Sequence, residues 1–253
     1  MRDMDRDVLD EVQDFWNRIA SDWQTQVGDS GDKNRLLNSD PVLWDFAGDV
    51  GGRDVLDAGC GTGYLSRKLS ELGARVVGVD LSENMIEIAR ERSPELDLRV
   101  ESVTGLQGLE DERFDLVIAN YVLMDVPFLE ETIDAFYRVL RSDGVAVVIF
   151  SHPCFPQGRR TEGPGQVVSY SWDEPYFERH KVVEPPWGHF TSDFIWFHRP
   201  LSDYWKAFTA AGFSVERFEE PRIASDRYHL AASSRELERS RTRPYSVAFR
   251  LVK

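Results

Sequence analysis

The run Val55-Leu-Asp-Ala-Gly-Cys-Gly-Thr-Gly63, followed by Arg75-Val-Val-Gly-Val-Asp80, constrains this chain more than any other feature. An apolar segment enters a glycine-rich turn, a helix-length stretch follows, and a second apolar segment closes on a carboxylate about twenty residues later. That is the pattern of a βαβ unit that holds a nucleoside. Glycine is needed because backbone must pass close to the ligand, in part at positive φ, where a Cβ would clash. Asp80, at the end of the second strand, is placed to accept hydrogen bonds from both hydroxyls of a ribose. The third glycine separates two kinds of ligand. A dinucleotide fingerprint that starts at Gly59 calls for glycine at position 64, where this chain has Tyr64. A ligand without a pyrophosphate makes fewer demands on the helix N-terminus and tolerates the bulk there.

The rest of the chain repeats the same rhythm. Apolar runs predict strands near 53–58, 75–80, 97–102, 115–120 and 144–151, with helices near 63–72, 83–92 and 129–141. The run Val145-Ala-Val-Val-Ile-Phe150 reads as a central strand, apolar on both faces. Such alternation requires right-handed crossovers and a mostly parallel, doubly wound sheet covered on both sides. Ahead of it, Val8, Val12, Phe15, Trp16, Ile19 and Trp23 recur at helical spacing and predict an amphipathic helix over 8–26. A polar loop, 28–38, leads to a short helix started by Ser39-Asp40-Pro41. Residues 1–47 therefore read as an N-terminal helical cap on a single domain. Residues 152–198 break the alternation, being rich in Pro and Gly yet dense in aromatics, and read as a folded segment inserted on the sheet's ligand-binding edge. A helix near 201–211, a strand near 213–219, a surface helix and loop over 222–243 and a last strand near 245–252 complete the chain.

Composition narrows the partners. With 253 residues the chain can bury one good core. The formal net charge of −14 argues against nucleic acid, whose phosphates are held by clustered Lys and Arg. A small-molecule partner is expected instead. No apolar run of about eighteen residues predicts a membrane span, and the start, MRDMDRDVLD, is too charged for a signal peptide. Cys60 and Cys154 offer neither metal-ligand spacing nor a disulfide framework. Together these predict a cytoplasmic protein that binds no metal. The surplus of Asp and scarcity of Lys fit a high-salt cytoplasm or a GC-rich coding bias equally well.

Several stretches, taken in order, resemble the class I S-adenosylmethionine-dependent methyltransferases. Asp57-x-Gly59-x-Gly61-x-Gly63 is similar to the family's first motif, and Asp80-Leu-Ser-Glu-Asn-Met85 to the segment after its second strand. Phe114-Asp-Leu-Val-Ile-Ala-Asn120 resembles the fourth strand, and Arg138-Val-Leu-Arg-Ser-Asp-Gly144 the turn before the fifth. Phe197-His-Arg-Pro-Leu-Ser-Asp-Tyr204, with Ala211-Gly-Phe213 and Glu220-Pro221, resembles the C-terminal block of many small-molecule members. Leu123-Met-Asp-Val-Pro127 and Ser151-His-Pro-Cys-Phe155 look like one subgroup. The resemblance implies a Rossmann-like seven-stranded sheet, mostly parallel with the last strand antiparallel. It also implies methyl transfer from S-adenosylmethionine, leaving S-adenosylhomocysteine, to an O or N atom of a small acceptor, aromatic ones included. The alternatives are a nicotinamide-dependent oxidoreductase and a non-catalytic protein that binds the same cofactor.

Carried onto this sequence, the resemblance assigns the cofactor to Arg35, Asp57, Gly59, Cys60, Gly61, Gly63, Asp80, Leu81, Gly105, Leu106, Asn120 and Tyr121. One departure stands out. The acid that often holds the adenine amino group falls at Thr104-Gly105, so no carboxylate is available unless the register slips to Glu101. Methyl transfer is an in-line displacement that depends mainly on placement in a water-poor pocket. Where a base is needed, His152, directly after strand five, and His198, at the end of the aromatic segment, are the candidates. Asp125, Trp172, Tyr176, Trp187 and Trp196 are the candidates for meeting the acceptor, the aromatic ones by packing against a planar ring.

Overall fold

The computed structural model describes residues 3–155, 160–162, 168–170 and 174–253. In chain order the strands are β1 (Asp54–Ala58), β2 (Arg75–Asp80), β3 (Asp97–Val100), β4 (Phe114–Asn120), β5 (Leu140–Ser151), β6 (Arg160–Glu162), β7 (Val168–Tyr170), β8 (His180–Glu184), β9 (Phe194–His198), β10 (Ser214–Glu219) and β11 (Ser246–Val252). The helices are α1 (Asp3–Val27), α2 (Asp40–Ala47), α3 (Tyr64–Glu71), α4 (Glu83–Arg92), α5 (Leu129–Val139), α6 (Leu201–Ala210) and α7 (Ser234–Thr242). Seven strands form one sheet in the order β10-β11-β5-β4-β1-β2-β3. The β1–β2, β2–β3, β1–β4 and β4–β5 pairs are parallel, and β11 runs antiparallel to both β5 and β10.

Strand periodicity divides the core cleanly. Leu56, Val117, Ala119, Ala146, Val148 and Phe150 point to one apolar layer with α5 and α6. Their neighbours Val55, Leu116, Ile118, Val145, Val147 and Ile149 point to the other, with α2 and α3. Alternate residues of one strand feeding opposite layers is what a doubly wound sheet requires. Each fully buried Val, Leu or Ile contributes about 1.5–3 kcal/mol. The order reverses between β1 and β4, and the crevice for a ligand opens at their carboxyl ends.

The N-terminal segment departs from the expected loop over 28–38. Residues Arg35–Ser39 form a π-helical turn that runs directly into α2. Ser39 is consequently already helical and makes no side-chain cap, although Pro41 still occupies the first turn. What ties this segment to the sheet is Tyr64. Its hydroxyl, 2.7 and 2.8 Å from the two oxygens of the buried Asp40 carboxylate, donates to it, and Lys68 Nζ stands 3.5 Å from the same group. Tyr64→Phe would leave that carboxylate with Lys68 alone. The expected cost is about 1–3 kcal/mol, seen as a melting temperature lower by roughly 3–8 °C with unchanged far-UV circular dichroism. A melting temperature within a degree of the parent would show that the hydroxyl contributes nothing.

Strands β8 and β9 form an antiparallel hairpin that packs on the outer side of α1. Phe194 meets Phe15 and Trp16 edge-on at 5.7 and 5.6 Å, and Phe190 stacks on Trp23 at 6.1 Å. Lys181 Nζ donates to Glu11 at 2.7 Å, and Thr191 donates through its amide and hydroxyl to Asp22 at 2.8 and 2.7 Å. Among the described residues, no helix is long and apolar enough to cross a membrane.

Candidate functional site

A cavity of about 880 Å³, counting its open mouth, lies at the carboxyl ends of β1, β2 and β4 under the inner face of α1. Its floor is the glycine turn. Gly59, Gly61 and Gly63 have φ of +75°, +54° and +81°, in the left-handed region that glycine enters without strain. The turn is pinned from behind, because the amides of Gly59 and Cys60 both donate to the Val79 carbonyl at 2.8 and 2.9 Å. Gly61 instead donates its amide to Asp80 Oδ2 at 2.9 Å, while Asp80 Oδ1 accepts from the Ser82 amide at 2.9 Å. Each carboxylate oxygen can accept two bonds and here accepts one, so capacity remains for a ligand. Burial pushes the Asp80 carboxyl up from its ordinary range and these two amides pull it back.

Asp57 lies deeper. It is 2% exposed, and Ser66 on α3 donates to its Oδ2 at 2.6 Å. Burial raises its pKa to about 7, against the Ser66 bond and with help from the neighbouring negative charge of Asp80. On the far wall, Asn120 and Tyr121 end β4. Tyr121, at φ +61°, places its hydroxyl 2.5 Å from both Asn34 Nδ2 and Ser246 Oγ. Arg35 is 5% exposed, bonded through Nη1 to Asp32 at 2.8 Å and held between the rings of Trp23 and Tyr121 at 5.2 and 4.9 Å. It is buried rather than solvated as a loop arginine would be.

Of the residues assigned to the cofactor from sequence, Arg35, Asp57, Gly59, Cys60, Gly61, Asp80, Leu81, Asn120 and Tyr121 line this one cavity, as does Asp125. Three do not. Gly63 caps α3, with its Cα side against Ala89. Gly105 and Leu106 are corrected by the register: β3 ends at Val100, so the cavity is walled by Ser102, Val103 and Thr104. The carbonyls of Gly105 and Leu106 face the other way and accept from Arg138 Nη2 at 3.0 and 2.7 Å. Glu101 is occupied as well, accepting from the Gly108 amide at 2.6 Å.

The histidines also lie elsewhere. His152 and His198 are 5% and 1% exposed and neither lines the cavity. His152 Nδ1 accepts the Cys154 amide at 3.1 Å, which leaves its proton on Nε2, donated to Glu220 at 2.9 Å. Burial holds its pKa below the usual value, despite Glu220. His198 Nε2 is engaged by the Tyr176 carbonyl at 2.8 Å. The physical reason for the miss is that adjacency to a strand end says nothing about the direction of a ring. Among the aromatic candidates, Tyr176 bonds Cys154 Sγ and the Leu201 amide, both at 3.0 Å. Trp187 and Trp196 pack on the outer cluster around Phe15 and Phe194, and none of the three lines the cavity. Trp172 lies outside the described residues.

The aromatics that do wall the cavity are Trp16 and Trp23 of α1, in edge contact at 5.3 Å, beside Leu9 and Val12. They were visible in the helical periodicity, and the missed signal was its width. A stripe holding Val12, Phe15, Trp16, Ile19 and Trp23 is wide enough for two faces, one toward the cavity and one toward the hairpin.

The sheet carries one antiparallel strand, β11, between β5 and the edge strand β10, the arrangement that the family resemblance implies. Residues 56–148 match the family described as a methyltransferase domain. The whole fold is similar to the crystal structure of an S-adenosylmethionine-dependent methyltransferase from Mesorhizobium loti, with a TM-score of 0.69 and 25% identity over 84% of this chain and 96% of that one. Both findings support a class I S-adenosylmethionine-dependent methyltransferase. A relative, the ubiquinone biosynthesis O-methyltransferase of Xanthomonas oryzae pv. oryzae, is 36% identical over 121 residues, 45% of this chain and 51% of that protein. The demethylmenaquinone methyltransferase of Lactococcus lactis subsp. lactis is 32% identical over 58% of this chain and 61% of its own length. The chain thus spans about half to three fifths of these curated relatives.

The lining of the cavity suits such a cofactor on its own terms. Thr62 Oγ1, Asn120 Oδ1 and Asp125 Oδ1 are buried polar atoms of its lining that have no hydrogen-bond partner among the described residues. Such atoms cost about 1–3 kcal/mol each unless something satisfies them. Together with Asp57 and Asp80 they make a wall of acceptors, suited to a ligand that brings an ammonium, ribose hydroxyls and a cationic centre.

Proposed function

We propose that this chain transfers a methyl group from S-adenosylmethionine to an O or N atom of a small acceptor. The observation that carries the reading is the acceptor-rich cavity at the β1/β4 switch point, with Asp80 at the end of β2. In this reading the Asp80 carboxylate holds the ribose, Asp57 and Asn120 face the amino end, Arg35 pairs with the carboxylate, and Met85 and Ser102–Thr104 border the base. The bound sulfonium supplies an activated methyl group. The chain's part is placement: α1 covers the cavity with Val12, Trp16 and Trp23 and excludes water, which favours an in-line attack by an oriented nucleophile. Trp16 and Trp23 give a planar, aromatic acceptor a wall to pack on.

With both histidines committed elsewhere, Asp125 is the group for the acceptor's O–H or N–H. It is 7% exposed and in the cavity lining. Burial, and then the charge of Asp80, raise its carboxyl well above the ordinary range, against the pull of Arg199. In its ionised form a carboxylate so placed would take up the proton of the acceptor's O–H or N–H, and the raised pKa would make it the stronger base. The test is a screen of phenols, catechols, hydroxy acids and amines with methyl-labelled S-adenosylmethionine. Turnover is expected with the parent, and a fall of roughly 10²–10⁴ in kcat with Asp125→Asn while S-adenosylhomocysteine affinity changes less than about threefold. Calorimetry showing no heat with either form of the cofactor would overturn the reading.

Asp57 gives a pH signature. Between its ordinary value of 3.8 and about 7, the folded chain keeps a proton that the unfolded chain has released. This group therefore subtracts stability as pH rises through that window, and nothing further above it. An ammonium beside Asp57 needs the carboxylate, so binding expels the proton below pH 7. The dissociation constant of S-adenosylhomocysteine is expected to be about tenfold higher at pH 6 than at pH 8, because expelling one proton weakens binding about tenfold for each pH step below 7. Asp57→Asn should flatten that profile; a flat profile in the parent would remove Asp57 from the cofactor's amine.

A further inference from the structure

The loop between β4 and α5 carries Asp125 into the cavity wall, and it has almost no regular structure of its own. Several of its carbonyls are gathered by one buried side chain. Arg199, 3% exposed, donates through Nη2 to the carbonyls of Val126 and Pro127 at 2.5 and 2.9 Å, and through Nη1 to those of Leu123 and Phe197 at 3.4 and 3.5 Å. The adjacent Phe197 amide donates to the Met124 carbonyl at 2.8 Å. The loop thus hangs from the end of β9 by the backbone on both sides of Asp125. Among the described residues, Arg199 forms no ion pair within 4 Å. Taking a guanidinium out of water costs several kcal/mol when no carboxylate pairs with it, and a Met or Leu of similar volume would fill the space without that cost. A planar fork with five N–H donors is, however, the one side chain that reaches several carbonyls at once.

We infer that Arg199 is a positioning residue of this enzyme, fixing the Leu123–Pro127 loop so that the Asp125 carboxyl stands in the cavity wall. The inference rests on the reading above that Asp125 meets the acceptor, and it adds that the C-terminal block takes part in the reaction through that one guanidinium. The titratable and charged groups around Asp125 are Asp80 on β2, Arg199, and Tyr204 on α6. Of these, only Arg199 favours the ionised carboxyl. A merely structural staple would affect stability alone. A positioning residue must also set the titration of Asp125.

The experiment follows the Asp125 side-chain carbonyl by carbon NMR across pH, its resonance assigned by loss in Asp125→Asn, in the full chain and in Arg199→Met. The midpoint is expected to rise by about one pH unit or more in Arg199→Met. A midpoint within about 0.3 pH of the parent, in a variant with a cooperative melt, overturns the inference. If Arg199→Met does not fold, Arg199→Lys decides, since lysine keeps the charge but cannot span the carbonyls. Amide exchange across 121–128 is then expected to quicken roughly tenfold relative to β4, with the Asp125 midpoint held within about 0.5 pH. Unchanged exchange there also overturns it. The two readings fail separately: absence of heat with S-adenosylhomocysteine in the parent defeats the proposed reaction, whereas the Asp125 midpoint and loop exchange judge Arg199 with no cofactor present.

Discussion

Replacing Asp80 with alanine is expected to weaken S-adenosylhomocysteine binding by two to three orders of magnitude. A carboxylate that accepts from two ribose hydroxyls contributes about 1.5–3 kcal/mol per bond, and a loss of about 3–4 kcal/mol is a factor of roughly 150–1,000 in the dissociation constant. The same substitution removes the acceptor of the Gly61 and Ser82 amides, 2.9 Å away on either side, so the glycine turn loses its anchor just where the ligand needs it fixed. Asp80→Asn keeps one carbonyl oxygen and is expected to lose about tenfold, the equivalent of one bond. Calorimetric titration measures both. A change below about threefold in Asp80→Ala would mean that the sugar is held elsewhere, and with it the nucleoside reading of the glycine motif would go.

Gly59→Ala is expected to have the largest effect on stability. An added Cβ at φ +75° would sit 2.4 Å from Val122 Cγ2 and 2.9 Å from Val122 Cγ1. Valine branches at Cβ and has no rotamer that withdraws both methyls, so the turn or the loop after β4 must move. The left-handed conformation costs an alanine about 1–2 kcal/mol and the overpacking about 1–3 kcal/mol. Together these predict a melting temperature lower by roughly 5–15 °C. Adding Val122→Ala should restore part of the loss, since neighbours that share one clash are not additive. If Gly59→Ala melts with the parent, the turn is far more compliant than its contacts imply.

Much of this architecture was legible from the chain because its signals are local. The glycine turn, the apolar alternation of β1, β4 and β5, and the carboxylate closing β2 each fix a short piece of backbone, and right-handed crossovers order those pieces into a sheet. The lining around the glycine turn was legible for the same reason, since Asp57, Gly59, Gly61, Asp80 and Asn120 all stand at or beside strand ends. The direction of side chains beyond it was not. Whether His152 turns into the crevice or toward Glu220, and whether Trp196 faces the cavity or the outer surface of α1, depends on packing between segments distant in sequence. Gly105 and Leu106 were expected in the lining, but β3 stops at Val100 and Ser102, Val103 and Thr104 stand there instead. Arg199 lay within the C-terminal block that carries the resemblance, but its task was not legible: its partners are carbonyls, which every residue has.

Helix α1 is shared property. One side of it, through Val12, Trp16 and Trp23, walls the cavity, while Phe15 and Ile19 on its other side are gripped by the β8–β9 hairpin, with Gln13 and Asn17 fastened to the segment just after Asp80. A substitution that remoulds the hairpin is therefore felt through α1 on the cavity wall behind it, so the outer surface and the lining cannot be redesigned as independent parts.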